Sequence, residues 1–264
     1  MKDLGLLCRY WKLLRQEKPE LVITYTIKPN IYGGLVSRML RIPYAVNITG
    51  LGTAFQNPGL LRSLVTFLYK IALKKAKVVF FENAGNRQVL LDFGIVKEEK
   101  TCLLSGAGVN LSHYTIVPYP EEETTRFLFV GRVMREKGIQ DAAEAIKSIN
   151  EKYGRTVCTL DIYGAVDPGQ TEWFEEISAN FSQAVCYRGV APFDQSVNVL
   201  KDYFALLFPT SFIKEGIPGT IIDAYAAGVP VIASKWFGFK DMIEDGRTGL
   251  GYPWMENEHL GEII

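Results

Sequence analysis

Short apolar runs alternate with amphipathic stretches along this chain, and that rhythm restricts the fold more than any other feature. Residues 21–26 (LVITYT) follow Pro19 and read as a buried strand, and residues 44–49 (YAVNIT) read as the next. Helical patterns over 30–39, 60–76 and 85–93 are interleaved with strand patterns over 78–81 and 101–104. From residue 126 the alternation sharpens: strands over 126–130, 157–163, 185–188, 203–208 and 229–233, helices over 138–153, 172–181, 196–201 and 220–227. In the helix over 138–153 the apolar residues Ile139, Ala142, Ala143, Ile146 and Ile149 share one face. Strands separated by helices join through crossovers, so the expectation is α/β, with parallel sheets in Rossmann-like lobes. Such sheets bind ligands at the carboxyl ends of their strands, and the loops there are where chemistry is sought.

The charge divides the chain in two. Residues 1–122 hold 16 Lys and Arg against 9 Asp and Glu, and residues 123–264 hold 13 against 20, so a neutral chain is +7 in one half and −7 in the other. The break falls in residues 113–125, which carry Pro118, Pro120 and the acidic run 121–123 without apolar periodicity. Two lobes are expected, 1–119 and 120–264. Zero net charge argues against a nucleic-acid partner. The longest charge-free runs, 42–61 and 101–120, contain Pro, Gly, Asn and Thr and do not read as membrane spans, and the charges at Lys2, Asp3 and Arg9 do not suit a secretory signal. Cys8, Cys102, Cys158 and Cys186 form no CxxC, and His113 and His259 are far apart, so reduced cytoplasmic thiols are expected and no metal site. The chain opens on a helical pattern and stops at Glu262-Ile263-Ile264 inside another. That suggests a fragment truncated at both ends, with an incomplete first lobe.

Three motifs carry chemistry. In the first, Glu215-Gly216-Ile217-Pro218-Gly219-Thr220-Ile221-Ile222-Asp223 precedes and opens a helix, and Gly228-Val229-Pro230 ends it. Pro218 is expected at the first helical position, with Gly219 and Thr220 leaving free N–H groups at the positive end, which suits a diphosphate. In the second, Gly131-Arg132-Val133-Met134-Arg135-Glu136-Lys137-Gly138 follows a strand. Gly131 allows close backbone approach, and Arg132 and Lys137 supply a guanidinium and an ammonium for a departing diphosphate. The third runs from Gly238 and ends in Ile243-Glu244-Asp245-Gly246-Arg247-Thr248-Gly249-Leu250.

In this order the three motifs resemble the donor-binding lobe of a family 4 glycosyltransferase of the GT-B fold, with Glu215 and Asp223 matching its Glu-x7-Glu element. In the first half, Thr24-Tyr25-Thr26-Ile27-Lys28-Pro29-Asn30 and Asn47-Ile48-Thr49-Gly50-Leu51-Gly52 are similar to the branch that builds capsule, exopolysaccharide or lipid-linked oligosaccharide. The resemblance implies a hexosyltransferase that takes a UDP-sugar, a hexose or N-acetylhexosamine, and transfers it with retention to a polyprenyl-diphosphate-linked or polysaccharide acceptor. It implies no cofactor and no obligatory metal, and the chain contains no Asp-x-Asp. Arg132 and Lys137 would then hold the diphosphate and stabilise the leaving charge, and Glu215 would bind the donor sugar's hydroxyls. The N–H groups of Gly219, Thr220 and Ile221 would meet the phosphates, Asp223 the ribose, and Gly189 and Val190 the base. Lys28, Asn30, Thr49 and Gly50 would lie on the acceptor side. The implied location is cytoplasmic, peripheral at the inner face of the membrane. Asp223 replaces the commoner Glu, and Asn47-Ile48-Thr49-Gly50 stands where many members carry a His.

Other readings stay open on the residues alone. A UDP-N-acetylglucosamine 2-epimerase shares the fold and needs general acids and bases in the cleft. A non-catalytic fragment could bind nucleotide-sugar without turnover. Lys28 and Asn30 also suit a turn cation and a helix N-cap. The helix at 60–76 reads as an ordinary core helix or, through Arg62, Lys70, Lys74, Lys75 and Lys77, as a contact for an anionic membrane surface.

Overall fold

The computed structural model of the chain describes residues 2–55, 58–106, 108–118, 120–181, 183–191, 196–212, 215–254 and 256–264. Tyr119, at the expected lobe boundary, lies outside the described residues. The chain divides into two compact units, residues 1–107 with 213–217 and residues 108–212 with 218–264. Residues 108–118 thus pack with the second unit rather than with the 1–119 lobe. Tyr114 donates to Asp223 Oδ1 at 2.5 Å.

The first unit runs α1 (Lys2–Glu17), β1 (Val22–Tyr25), α2 (Ile27–Leu40), β2 (Tyr44–Ile48), α3 (Leu60–Leu73), β3 (Val79–Phe81), α4 (Ala84–Asp92) and β4 (Thr101–Leu103). Its described strands form a parallel sheet in the order β1-β2-β3-β4. All of β2 is buried, as an apolar run between helix layers must be. Ile31, Val46, Ile48, Tyr69, Val79 and Phe81 are central to the core. Asn30 is not a helix cap. It lies in the second turn of α2, fully buried, and its Nδ2 donates to Asn47 O at 2.9 Å, because α2 already starts at Ile27 after the N-cap Thr26.

The second unit runs β5 (Thr125–Val130), α5 (Ile139–Tyr153), β6 (Cys158–Tyr163), α6 (Thr171–Ser178), β7 (Val185–Gly189), α7 (Ser196–Leu200), β8 (Ala205–Phe208), α8 (Gly219–Ala226), β9 (Val231–Ser234), α9 (Phe239–Met242), β10 (Gly249–Tyr252) and α10 (Leu260–Ile263). The apolar face of α5 (Ile139, Ala142, Ala143, Ile146) packs on Phe127, Phe129, Leu160 and Ile162. The parallel sheet has the order β10-β9-β8-β5-β6-β7. From β5 the chain winds one way to β7, then returns to the other side of β5 and winds outward to β10. The reversal lies between β5 and β8, so the crossovers that follow these two strands leave on opposite faces of the sheet, at the point where such sheets hold ligands. The short elements α9 and β10 escape the sequence pattern, because four residues carry no measurable period.

Candidate functional site

The loop after β5 arrives at the switch point with a fixed shape. Residues Arg135–Lys137 make one 3-10 turn, and Gly138 then takes φ +69, where an added Cβ would stand 2.0 Å from Pro209 O. Only glycine fits both the left-handed backbone and that contact. Hydrogen bonds fix the rest. Glu136 O accepts from Ser211 N at 2.9 Å and from Thr210 Oγ1 at 3.3 Å, which joins the β5 loop to the β8 loop. Gln170 accepts from Arg135 N at 2.7 Å and donates to Glu136 Oε2 at 3.0 Å, adding the β6 loop. Ser234 Oγ donates to Thr210 O at 2.5 Å, adding β9. Lys137 stands within this lattice, its Nζ 5.7 Å from the Phe208 ring centre and 5.8 Å from that of Phe212. Arg132 is exposed and paired with Asp167 at 3.7 Å. Gly131 N donates to Tyr163 O at 3.0 Å.

The helix after β8 supplies a positive pole. Pro218 is its N-cap, at φ −70 and ψ 113, and not its first helical residue. The extended ψ keeps Pro218 outside the helix, which begins at Gly219. Ile221 N is already engaged, donating to Pro218 O at 3.1 Å, so Gly219 and Thr220 are left as the first-turn donors. No acidic residue lies in this first turn, and nothing stands within 4 Å of the place a Cβ would take on Gly219. Asp223 Oδ1 takes the Tyr114 hydroxyl, whose pKa is pushed up, first by burial and then by that carboxylate. Gly189 ends β7 at φ +79, and Val190 is exposed beyond it.

Glu215 belongs by its contacts to the first unit. There its carbonyl accepts from Asn83 Nδ2 at 3.2 Å and Asn86 Nδ2 at 3.4 Å, just beyond β3. The next peptide passes so close to β2 that a Cβ on Gly216 would stand 1.8 Å from Thr49 O. Glu82 lies beside it, accepting from Ile217 N–H and from Asn47 Nδ2 at 3.5 Å. Burial is the main cause of its raised pKa, partly opposed by these two bonds. Thr49 and Gly50 are half-buried at the same sheet edge, and Lys28 is exposed at the start of α2. Thr26, at the end of β1, holds φ 68, a strained value for a β-branched residue. The sequence pattern assigns no role to Glu82, Asn83, Asn86, Glu136, Gln170 or Thr210, because the partners that position them lie far along the chain. Among the described residues, no group of three or more His, Cys, Asp or Glu is placed to hold a metal ion.

Two α/β units, each built on a parallel sheet, are the architecture of the GT-B fold. The family described as "Glycosyl transferases group 1" matches residues 124–263, more than half the chain, and "Glycosyl transferase 4-like" matches residues 1–83. The chain belongs to this glycosyltransferase family, and it is an enzyme of that class. It is 24% identical over 270 residues to the N,N'-diacetylbacillosaminyl-diphospho-undecaprenol alpha-1,3-N-acetylgalactosaminyltransferase of Campylobacter jejuni, covering 96% of this chain and 69% of that protein. It is 23% identical to the capsular polysaccharide biosynthesis glycosyltransferase CapM of Staphylococcus aureus, over 94% of this chain and 67% of that one. Among solved structures, Anabaena HepE in complex with UDP and glucose superposes with a TM-score of 0.83 at 16% identity, covering 98% of this chain and 70% of its own.

Proposed function

We propose that the chain transfers a hexosyl or N-acetylhexosaminyl group from a UDP-sugar to a lipid-linked or growing glycan acceptor in surface-glycan synthesis, with retention at the anomeric carbon. One observation carries the reading. The β5 loop bearing Lys137 and the β8 loop leading to Gly219 and Thr220 are locked together at the switch point, where an ammonium and a helix N-terminus can face one diphosphate. In the reaction the acceptor hydroxyl forms a bond to the anomeric carbon on the face from which UDP departs. The sugar–phosphate bond breaks, and the hydroxyl proton passes to the departing phosphate oxygen.

Arg132 and Lys137 stabilise the charge that grows on UDP, Gly219 and Thr220 donate to it, and Glu215 binds the sugar. The first unit serves the acceptor, and the second, which takes in residues 108–118, serves the donor. The C. jejuni relative, named for a diphospho-undecaprenol acceptor, supports a polyprenyl diphosphate, and CapM supports a polysaccharide role. Such an acceptor places the work at the cytoplasmic face of a membrane. Among the described residues no helix is long and apolar enough to cross one.

The test is UDP release from a panel of UDP-sugars, with and without a polyprenyl-diphosphate-linked acceptor and with a chelator present. Acceptor-dependent release that survives chelation is expected. Sugar epimerisation, or UDP binding with no release, contradicts the reading.

A further inference from the structure

The segment ahead of β5 meets α8 and the turn that ends it. A 3-10 turn over Leu111–His113, in which the Asn110 side chain accepts from Ser112 N at 3.2 Å, delivers Tyr114 to the helix. The Tyr114 ring packs on the core cluster that holds Ile221, Ala224 and Ala227, and its hydroxyl donates to Asp223 Oδ1 at 2.5 Å. Past the end of α8, a Cβ on Gly228 would stand 3.3 Å from Ile116 Cγ2. Apolar contact at Tyr114 and Ile116 already seats the segment. The hydroxyl adds a bond to a carboxylate whose place on the helix matters.

Asp223 follows Gly219 by four residues and Thr220 by three, so it stands one turn beyond them on the same side of α8. A diphosphate on the Gly219 and Thr220 amides then has a carboxylate about 5 Å along the helix axis. Like charges repel at that range, so the part of the ligand that meets Asp223 must be a hydrogen-bond donor. In a nucleoside diphosphate the group joined to the phosphates is the ribose, and its hydroxyls are donors. Among the described residues Tyr114 is the one side-chain donor to Asp223, which leaves Oδ2 free to accept. Burial and the carboxylate keep the proton on the phenol, whose oxygen retains lone pairs and can accept as well. Oδ2 and the phenol oxygen are thus two acceptors bridged by Oδ1, a match for two vicinal hydroxyls.

We propose that Tyr114 is a specificity-determining residue that reads the ribose diol together with Asp223. Its hydroxyl fixes the Asp223 carboxylate, Oδ2 accepts from one ribose hydroxyl, and the phenol oxygen accepts from the other. The chain thereby selects a ribonucleoside diphosphate over its deoxy forms. The inference deepens the proposed function and rests on it for the seat of the diphosphate.

The test is calorimetric titration of the full chain with UDP, 2′-deoxy-UDP and 3′-deoxy-UDP. The parent should bind UDP about tenfold more tightly than either deoxy form, the worth of a hydrogen bond in a site built to receive it. Tyr114→Phe keeps the ring and removes the hydroxyl. It should lose about tenfold in UDP affinity and most of the preference for UDP, with a thermal midpoint close to the parent's, since Asp223 is half-buried and water can replace the phenol. Asp223→Asn should also lose the preference, and the double variant should lose little more than either single one, because the two side chains act as a unit. A Tyr114→Phe variant that keeps the parent's preference, or that weakens UDP and both deoxy forms by one factor, overturns the proposal and leaves Tyr114 as a staple for its segment. A parent that binds all three alike overturns it too. Both of those results keep UDP bound and leave the proposed function standing, whereas a parent that binds no UDP overturns that function and the seat of the ribose with it.

Discussion

At the scale of single residues, a few charged groups take their character from what surrounds them. The Lys137 ammonium lies within 6 Å of the ring centres of Phe208, at the end of β8, and Phe212, in the loop that follows, which restricts where it can go and lowers the ordering cost of meeting a diphosphate. Lys137→Ala should weaken UDP binding by about 1.5–3 kcal/mol, the worth of a charge-assisted hydrogen bond, with the fold intact. Calorimetric titration checks this, and unchanged affinity would remove the diphosphate assignment. Glu82 gives a pH signature. Burial raises its pKa in the folded state, so its contribution to stability is complete below the ordinary glutamate value and is lost as pH rises through the folded one. Glu82→Gln should therefore gain on the parent between acid and neutral pH, read from urea midpoints; a gap between the two that stays constant with pH would contradict the burial. Lys137 and Glu215 stand out in the sequence because they sit inside a spaced motif. Glu82 was not, because its role comes from Asn47 and Ile217, which are brought to it only by folding.

At the scale of elements, two close approaches set the loops. Gly138 and Gly154 share a left-handed backbone, at φ +69 and +65, but only Gly138 has Pro209 O against the place of a Cβ. Gly154→Ala should cost about 1–2 kcal/mol, the backbone penalty alone. Gly138→Ala should cost clearly more and abolish turnover, because the β5 loop must leave the β8 loop. Denaturant unfolding of both variants separates the cases, and equal losses would mean that the contact is relieved without consequence. The alternation of elements was readable from apolar period and turn residues, and the parallel sheets followed from it. Helix starts were less readable. Pro218 fits a first helical position and an N-cap equally well by composition, and only its extended ψ decides. Asn30 has the chemistry of a cap, yet α2 begins three residues earlier and buries it.

At the scale of the whole molecule, the chain's path and its charge divide the labour. The basic half carries α3 and its lysines, and the acidic half carries the six-stranded sheet with its switch point. Contacts assign the segment 213–217 to the first unit although the residues on either side belong to the second. Its seat was hidden from the sequence, since Gly216 meets Thr49 and Glu215 meets Asn83 across more than 125 positions of chain. If UDP sits at the reversal between β5 and β8, a crystal structure of the chain with UDP will show it. The diphosphate is expected within hydrogen-bond reach of the Gly219 and Thr220 amides and of the Lys137 ammonium; a diphosphate bound elsewhere, with those three groups facing solvent, would overturn the assignment.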